Sequence, residues 1–494
     1  VYIPFPERIP LNRVALFASG LFAIQMAEGT ALYFSAGCVA FILIAALAFN
    51  TAGGLTRTSG AYVFAYSMLV VIIGICYKAL LGEPAQSNLS DPVTDIEVYV
   101  AGITAMLAAV IVSRRFSRKS GLLQDLLKES DMYRTSVGCI VFGAVGAFLI
   151  ALLGEEGQRL QTAFAQLNQL IPLGIIIGVM YEIRSSGGTR STNIFILLGG
   201  AYSFLLGIAG FSKQGLITPP YCWILPVCAL RYRLSTLQII GCLLAVFILF
   251  HYLVPFSQYG RDLVPEGSTF SQKVAIAIPL LEHPEETRRL YNENQEASVA
   301  AVGNSSYYNQ PQGFWDRLQF VGTDDPLIAI TDQGKTVGLA PIIGALVNAV
   351  PHIIWPGKPV LKYTGNYYFH EISGQAEGEG DTTTGISFSP TAEAYHMAKW
   401  VGVLVVAPIL WFLLFAGFDS LFGDLRVSPW GLLAMTFISH AAPEAEISGM
   451  IYLLTFGTEI LVFCAFFATW FGPIFAIPIL GPDRRITALQ VSRR

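Results

Sequence analysis

Long apolar runs broken by short polar stretches dominate the chain, and most runs are apolar on every face rather than along one stripe. At about 20 residues per bilayer crossing, they predict helices near 12–28, 31–50, 60–82, 96–113, 136–154, 169–183, 192–210, 217–230, 235–255, 401–422, 428–445 and 449–472. Two of these read as irregular. The 217–230 run is short and holds Pro219, Pro220 and Pro226, which suits a broken or re-entrant segment. The 428–445 run contains His440, Pro443 and Glu444. The apolar stretch Val14–Ala27 runs on into further apolar sequence without a cleavage pattern, so it reads as a helix rather than a removable signal.

Composition decides the solvent. Of 494 residues, 53% are hydrophobic and only 13% charged, about half the charged share of soluble domains. The mean hydropathy is +0.56. A water-soluble fold of this size would leave too much apolar surface exposed, so the expected fold is an all-α polytopic membrane protein of about twelve transmembrane helices. The net charge of −4 and the lack of a basic tract argue against nucleic acid as a partner. The seven cysteines lie in or beside apolar runs, and none falls in 256–400, so a disulfide framework there is excluded.

Lys and Arg placement sets the expected orientation. With both termini inside, inner segments carry Arg8, Arg13, Arg57, Arg114, Arg115, Arg118, Lys119, Lys128, Arg134, Arg184, Arg190, Arg231, Arg233, Arg426, Arg484, Arg485, Arg493 and Arg494. Short outer segments carry only Lys78, Arg159 and Lys213. The chain then divides into 1–255 (nine helices), an extracytoplasmic loop 256–400, and 401–494 (three helices and a cytoplasmic tail). Within the loop, Leu339–Ile354 is too short and too Pro-bounded to cross and suits an interfacial helix. Pro284–Ala301 reads as a solvated helix, and Gly374–Gly385 as a flap. No repeat of fixed period is present.

Candidate chemistry concentrates on the outer side. His283, His352, His370 and His396 lie in the loop, and His251 and His440 lie near outer helix ends. The segment VPHIIWPGKPVLKY supplies His352, Trp355, Lys358, Lys362 and Tyr363. Lysines there suit a lipid phosphate and the rings suit a sugar face. Snorkelling lysines in an aromatic belt account for the same pattern. In SFSPTAEAYHMAKW, Ser389 or Thr391 suits a helix cap, and Glu393 and His396 share one helical face. Such a pair can take a proton from a hydroxyl, while a Glu in the first turn is also what a helix dipole favours. Arg317 in GFWDRLQF suits a bidentate phosphate contact or a surface pair with Asp316. His370–Glu371 and the GEGD run make poor metal sites, and no metal or other cofactor is expected. Glu444 and Glu446 read as members of an outer hairpin; Glu459 lies deeper, where an acid hints at an ion pathway.

Two stretches, Val350–Pro359 (VPHIIWPGKP) and Ser387–Val405 (SFSPTAEAYHMAKWVGVLV), together with the many helices and the large outer loop, resemble the oligosaccharide repeat-unit polymerases, the Wzy-type or O-antigen-polymerase-like membrane glycosyltransferases. His352 stands where that family often has Arg, and Lys399–Trp400 interrupts its usual Asn–Phe–Gly. The resemblance implies a GT-C-like fold in a bacterial inner membrane and a polyprenyl-diphosphate-linked oligosaccharide as substrate. It implies membrane lipid and a chain-length regulator as further partners, with no nucleotide sugar. On that basis Arg317, Lys358 and Lys362 neutralise the leaving diphosphate. Glu393 or His396 takes the acceptor proton, and His352 is a further diphosphate contact or base. Trp355, Tyr363 and Tyr395 stack on sugars. A glycan ligase of the same architecture, a secondary transporter and a non-catalytic scaffold are the competing readings.

Overall fold

The computed structural model describes residues 1–152, 165–265, 267–302, 307–310, 312–350, 355–359, 365–373 and 386–482. These residues form helices and no strands. Every one of the twelve apolar runs carries a helix: α1 (Leu11–Ala27), α2 (Leu32–Ala52), α3 (Thr58–Leu81), α4 (Pro92–Phe116), α5 (Met132–Leu152), α6 (Leu170–Ser185), α7 (Ile194–Ala209), α8 (Lys213–Ala229), α9 (Thr236–Leu263), then, past the large loop, α15 (Pro390–Phe422), α16 (Pro429–Glu444) and α17 (Glu446–Trp470). The loop contributes α10 (Phe270–Glu282), α11 (Pro284–Val302), α12 (Val321–Asp332), α13 (Ala340–Ala349) and α14 (Gly365–Ser373). Among the described residues, seven helices are long and apolar enough to cross a membrane: α2, α3, α4, α5 with its leading turn, α9, α15 and α17. The chain is therefore a membrane-embedded helical protein.

Three details differ from the sequence reading. α8 is one continuous helix despite Pro219, Pro220 and Pro226. It starts earlier than expected because Ser212 caps it, its hydroxyl accepting from the Gly215 N–H at 3.1 Å. α7 packs along it, as neighbouring helices do where prolines free backbone carbonyls. α9 runs to Leu263, so its last turns lie inside the segment read as loop. The irregularity expected around Pro443 falls instead at Ala445–Glu446, where Glu446 takes a φ of +57° and α16 gives way to α17.

Helix starts follow local rules. Asp91 caps α4, accepting from the Thr94 N–H at 3.1 Å with Pro92 at the first position. Ser428 caps α16 in the same way, with Pro429 following. α2 lies along α4, α5 along α6, and α15 against both α4 and α3. Small residues let the backbones approach. A Cβ on Gly37 of α2 would lie 2.3 Å from Ile96 of α4, and one on Gly102 of α4 would lie 2.4 Å from Thr391 of α15.

α15 is broken. Ala398 and Lys399 leave helical geometry, Lys399 with a φ of +49°. After the break, Gly402 sits so close to the Ala394 carbonyl that a Cβ would come within 1.7 Å of its oxygen. The eight residues Pro390–Met397 thus form a separate helical piece ahead of the long apolar part. In the loop, α13 covers the first two-thirds of the interfacial run and shows Leu339, Ile343 and Leu346 as an exposed apolar stripe. Its other face packs on the start of α17.

Candidate functional site

Two polar clusters of opposite character meet at the α16–α17 break, where Glu444 and Glu446 face different ways.

The first cluster is buried. Ser389 caps α15, its hydroxyl accepting from the Ala392 N–H at 3.2 Å, with Pro390 next in the chain. Tyr66 of α3 and Thr391 share a 2.5 Å hydrogen bond. Asp324 of α12 accepts from the Ser389 N–H at 2.9 Å and from the Tyr99 hydroxyl of α4 at 2.9 Å. Burial pushes the Asp324 carboxyl up to about 7, and the donors from Ser389 and Tyr99 limit the rise. The adjacent Asp325 accepts from the N–H groups of Ser90 and Asp91 at 2.7 and 3.0 Å. Asp95, at the start of α4, is fully buried and faces Asp325, and neither of its oxygens has a donor among the described residues.

Glu393 and His396 sit within this cluster, and both are 0% exposed. One Glu393 oxygen accepts from the Tyr368 hydroxyl at 2.5 Å, and the other accepts from the Ile447 N–H. Burial, and then the Glu393 carboxylate, hold the Tyr368 hydroxyl far above the usual phenol range, which keeps it a donor. His396 Nδ1 lies 2.8 Å from Thr331 Oγ1, and its Nε2 lies 3.2 Å from Glu371 Oε2. The Tyr368 ring stands edge-on to the His396 ring with centroids 5.8 Å apart, so one tyrosine touches both residues. Glu446 lies beside Glu393.

The second cluster is cationic and less buried: Arg261 and Arg317 are exposed, and Lys213 is half-buried. Lys213 in the first turn of α8 lies within electrostatic reach of Arg261 near the end of α9 and of Arg317 in the single turn Trp315–Arg317. Arg261 also donates to the Phe211 carbonyl at 3.3 Å. Tyr291 of α11 faces Arg317; burial raises its hydroxyl above the usual phenol range and the guanidinium draws it back. Completing the patch is Glu444, which accepts a hydrogen bond from His440 Nδ1 and faces Lys213. Five separate stretches of the chain meet here.

The sequence candidates thus separate. Glu393, His396 and Tyr395 lie together on the short piece of α15. Tyr395 is buried, donates to Asp332 at 3.1 Å and stands edge-on to Trp400. Arg317 belongs to the cationic patch. Lys358 is engaged elsewhere: its ammonium donates to the carbonyls of Val347, Asn348 and Val350 at 3.4, 2.8 and 2.6 Å and closes the C-terminus of α13. Trp355 is exposed. His352, Lys362 and Tyr363 lie outside the described residues, as do the flap 374–385 and Arg159. Among the described residues no group of three His, Cys, Asp or Glu is arranged to hold a metal.

Sequence reading counts Lys213 only as an outer charge and passes over Arg261, Tyr368 and Thr331. A single basic or hydroxyl residue at a helix end carries no local signature. Only the folding of distant segments onto one another reveals these groups. Comparison with protein-family models, with curated proteins and with solved structures found no match to this chain.

Proposed function

We propose that the chain is a membrane glycosyltransferase that polymerises polyprenyl-diphosphate-linked oligosaccharide repeat units at the extracytoplasmic face of a bacterial inner membrane, for exopolysaccharide or O-antigen synthesis. It would cross the membrane about twelve times with both termini inside, holding the loop of 256–400 outside. One observation supports this above others: the convergence of exposed Arg261 and Arg317 on half-buried Lys213. Three cations gathered around Lys213, with Glu444 facing it, fit a ligand of high negative charge, and a diphosphate is one. The exposed apolar stripe of α13 suits the prenyl tail.

In the reaction, the bond from the donor sugar's anomeric carbon to the diphosphate oxygen breaks, and the electron pair leaves on that oxygen. The acceptor hydroxyl oxygen forms the new glycosidic bond. Charge grows on the diphosphate as it departs, so fixed cations stabilise the transition state more than the ground state. With Lys358 closing α13, the diphosphate role falls to Lys213, Arg261 and Arg317, and Trp355 remains an exposed face for a sugar. The Glu393–Tyr368 and His396–Glu371 pairs tie the short piece of α15 to α14.

The test is polymer formation by a strain carrying the chain with Lys213, Arg261 and Arg317 all changed to Ala, at normal protein level. The expected result is loss of long polymer, with single repeats accumulating. Long unattached chains in the same strain would favour a ligase. Polymer of normal length would end the proposal.

A further inference from the structure

Resting on that reading, one question is which group removes the acceptor proton. Glu393 and His396 are poorly placed for it: both are 0% exposed, and both ends of each side chain are already occupied by Tyr368, Ile447, Thr331 and Glu371. A hydroxyl arriving on a sugar meets neither without dismantling the cluster.

His440 is differently situated. It lies one helical turn before the end of α16, four residues ahead of Glu444, and the two side chains meet on the same helix face. Its side chain is 58% exposed. With Nδ1–H donating to the carboxylate, the Nε2 lone pair is left as the basic atom, and the carboxylate fixes both tautomer and ring orientation. Among the described residues, the cation facing the imidazole is Lys213, from α8, and Lys213 also faces Glu444 and is the residue around which Arg261 and Arg317 gather. The exposed imidazole and the proposed diphosphate ligands therefore meet through Lys213.

We infer that the His440–Glu444 pair is the general base of this site. His440 Nε2 takes the proton of the acceptor hydroxyl as its oxygen attacks the anomeric carbon. The bond to the diphosphate breaks, and its electron pair departs with the diphosphate held by the three cations. Glu444 touches no substrate and is a positioning residue, steadying the imidazolium that forms.

The test uses purified full-length protein in lipid nanodiscs, with polyprenyl-diphosphate-linked repeat units as substrate and inorganic pyrophosphate as a binding probe. His440→Gln is expected to slow transfer by about 10²–10⁴-fold, the usual worth of a general base, while pyrophosphate affinity stays within about twofold, because no cation is removed. Wild-type turnover should rise with pH as the imidazole gives up its proton, and His440→Gln should lose that dependence. Glu444→Gln should keep the dependence but shift its midpoint, an effect that a merely structural role would not produce. Equal melting temperatures for the three proteins show that the losses are chemical. If the wild type elongates the substrate and His440→Gln does so at full rate with an unchanged pH profile, the base assignment fails and the glycosyltransferase reading stands. If the wild type does not elongate it, both fall.

Discussion

The two polar clusters on either side of Ala445 differ in sign, exposure and degree of internal satisfaction. On one side, acids from α4, α12, α15 and α17 are packed away from solvent, and Asp324, Asp325 and Glu393 accept from backbone N–H groups or tyrosine hydroxyls. On the other, exposed Arg261 and Arg317 gather about half-buried Lys213, which faces one His–Glu pair. Buried polar groups that bond to each other fix helices in place, because leaving any one unpaired is costly. Exposed like charges brought together repel, and a fold keeps such an arrangement where an anion offsets it. The acids thus brace the helices, and on the proposed reading the cations and the exposed imidazole act at the surface those helices frame.

Breaking the buried side should produce the largest stability loss. Glu393→Ala strands the Ile447 N–H and the Tyr368 hydroxyl away from solvent, at about 1–3 kcal/mol for each unpaired group. A marked fall in melting temperature in detergent is expected, whereas Arg317→Ala in the open patch should melt within a degree or two of wild type. Similar melting temperatures for the two variants would erase the distinction between the clusters.

Asp324 sharpens the comparison through pH. Its carboxyl rises from the usual 3.8 to about 7 in the folded chain, so the folded state binds the proton more tightly than the unfolded state. The resulting cost to stability is absent below about pH 4, grows between the two values and is complete above about 7. Stability should therefore fall as pH rises across this window. Asp324→Asn, which keeps an acceptor for the Ser389 N–H, should flatten that slope. A melting temperature whose pH dependence is the same in both proteins would remove Asp324 from the account.

Smaller effects are expected at the ends of the elements that frame the clusters. Ser389→Ala removes the cap of α15, at about 1 kcal/mol. Lys358→Ala frees the last carbonyls of α13, at about 0.3–1 kcal/mol, seen as faster amide exchange at Val350, whose N–H bonds to Val347. Unchanged exchange at Val350 would show that the ammonium does not close this helix.

Much of the architecture was legible because it depends on short-range rules. Apolar runs of bilayer length, proline at helix starts and Ser389 ahead of Pro390 each act within a few residues, and helices stand where these signals lie. The run 217–230 was harder, since three prolines argue locally for a break, and neighbour packing on α7 overrides them. Of the candidate site, the sequence marked Glu393, His396, Tyr395 and Arg317 but treated them as one constellation. Tertiary structure placed the first three with Tyr368 and Thr331 and moved Arg317 to Lys213 and Arg261. It also set Lys358 on a helix end, and it turned Glu444 and Glu446 from neighbours in a hairpin into members of different clusters. The physical reason is range. Hydropathy and capping are properties of contiguous residues, whereas a gathering of charges from residues 213, 261, 317 and 444 exists only after the chain has folded back on itself, and no local pattern records it.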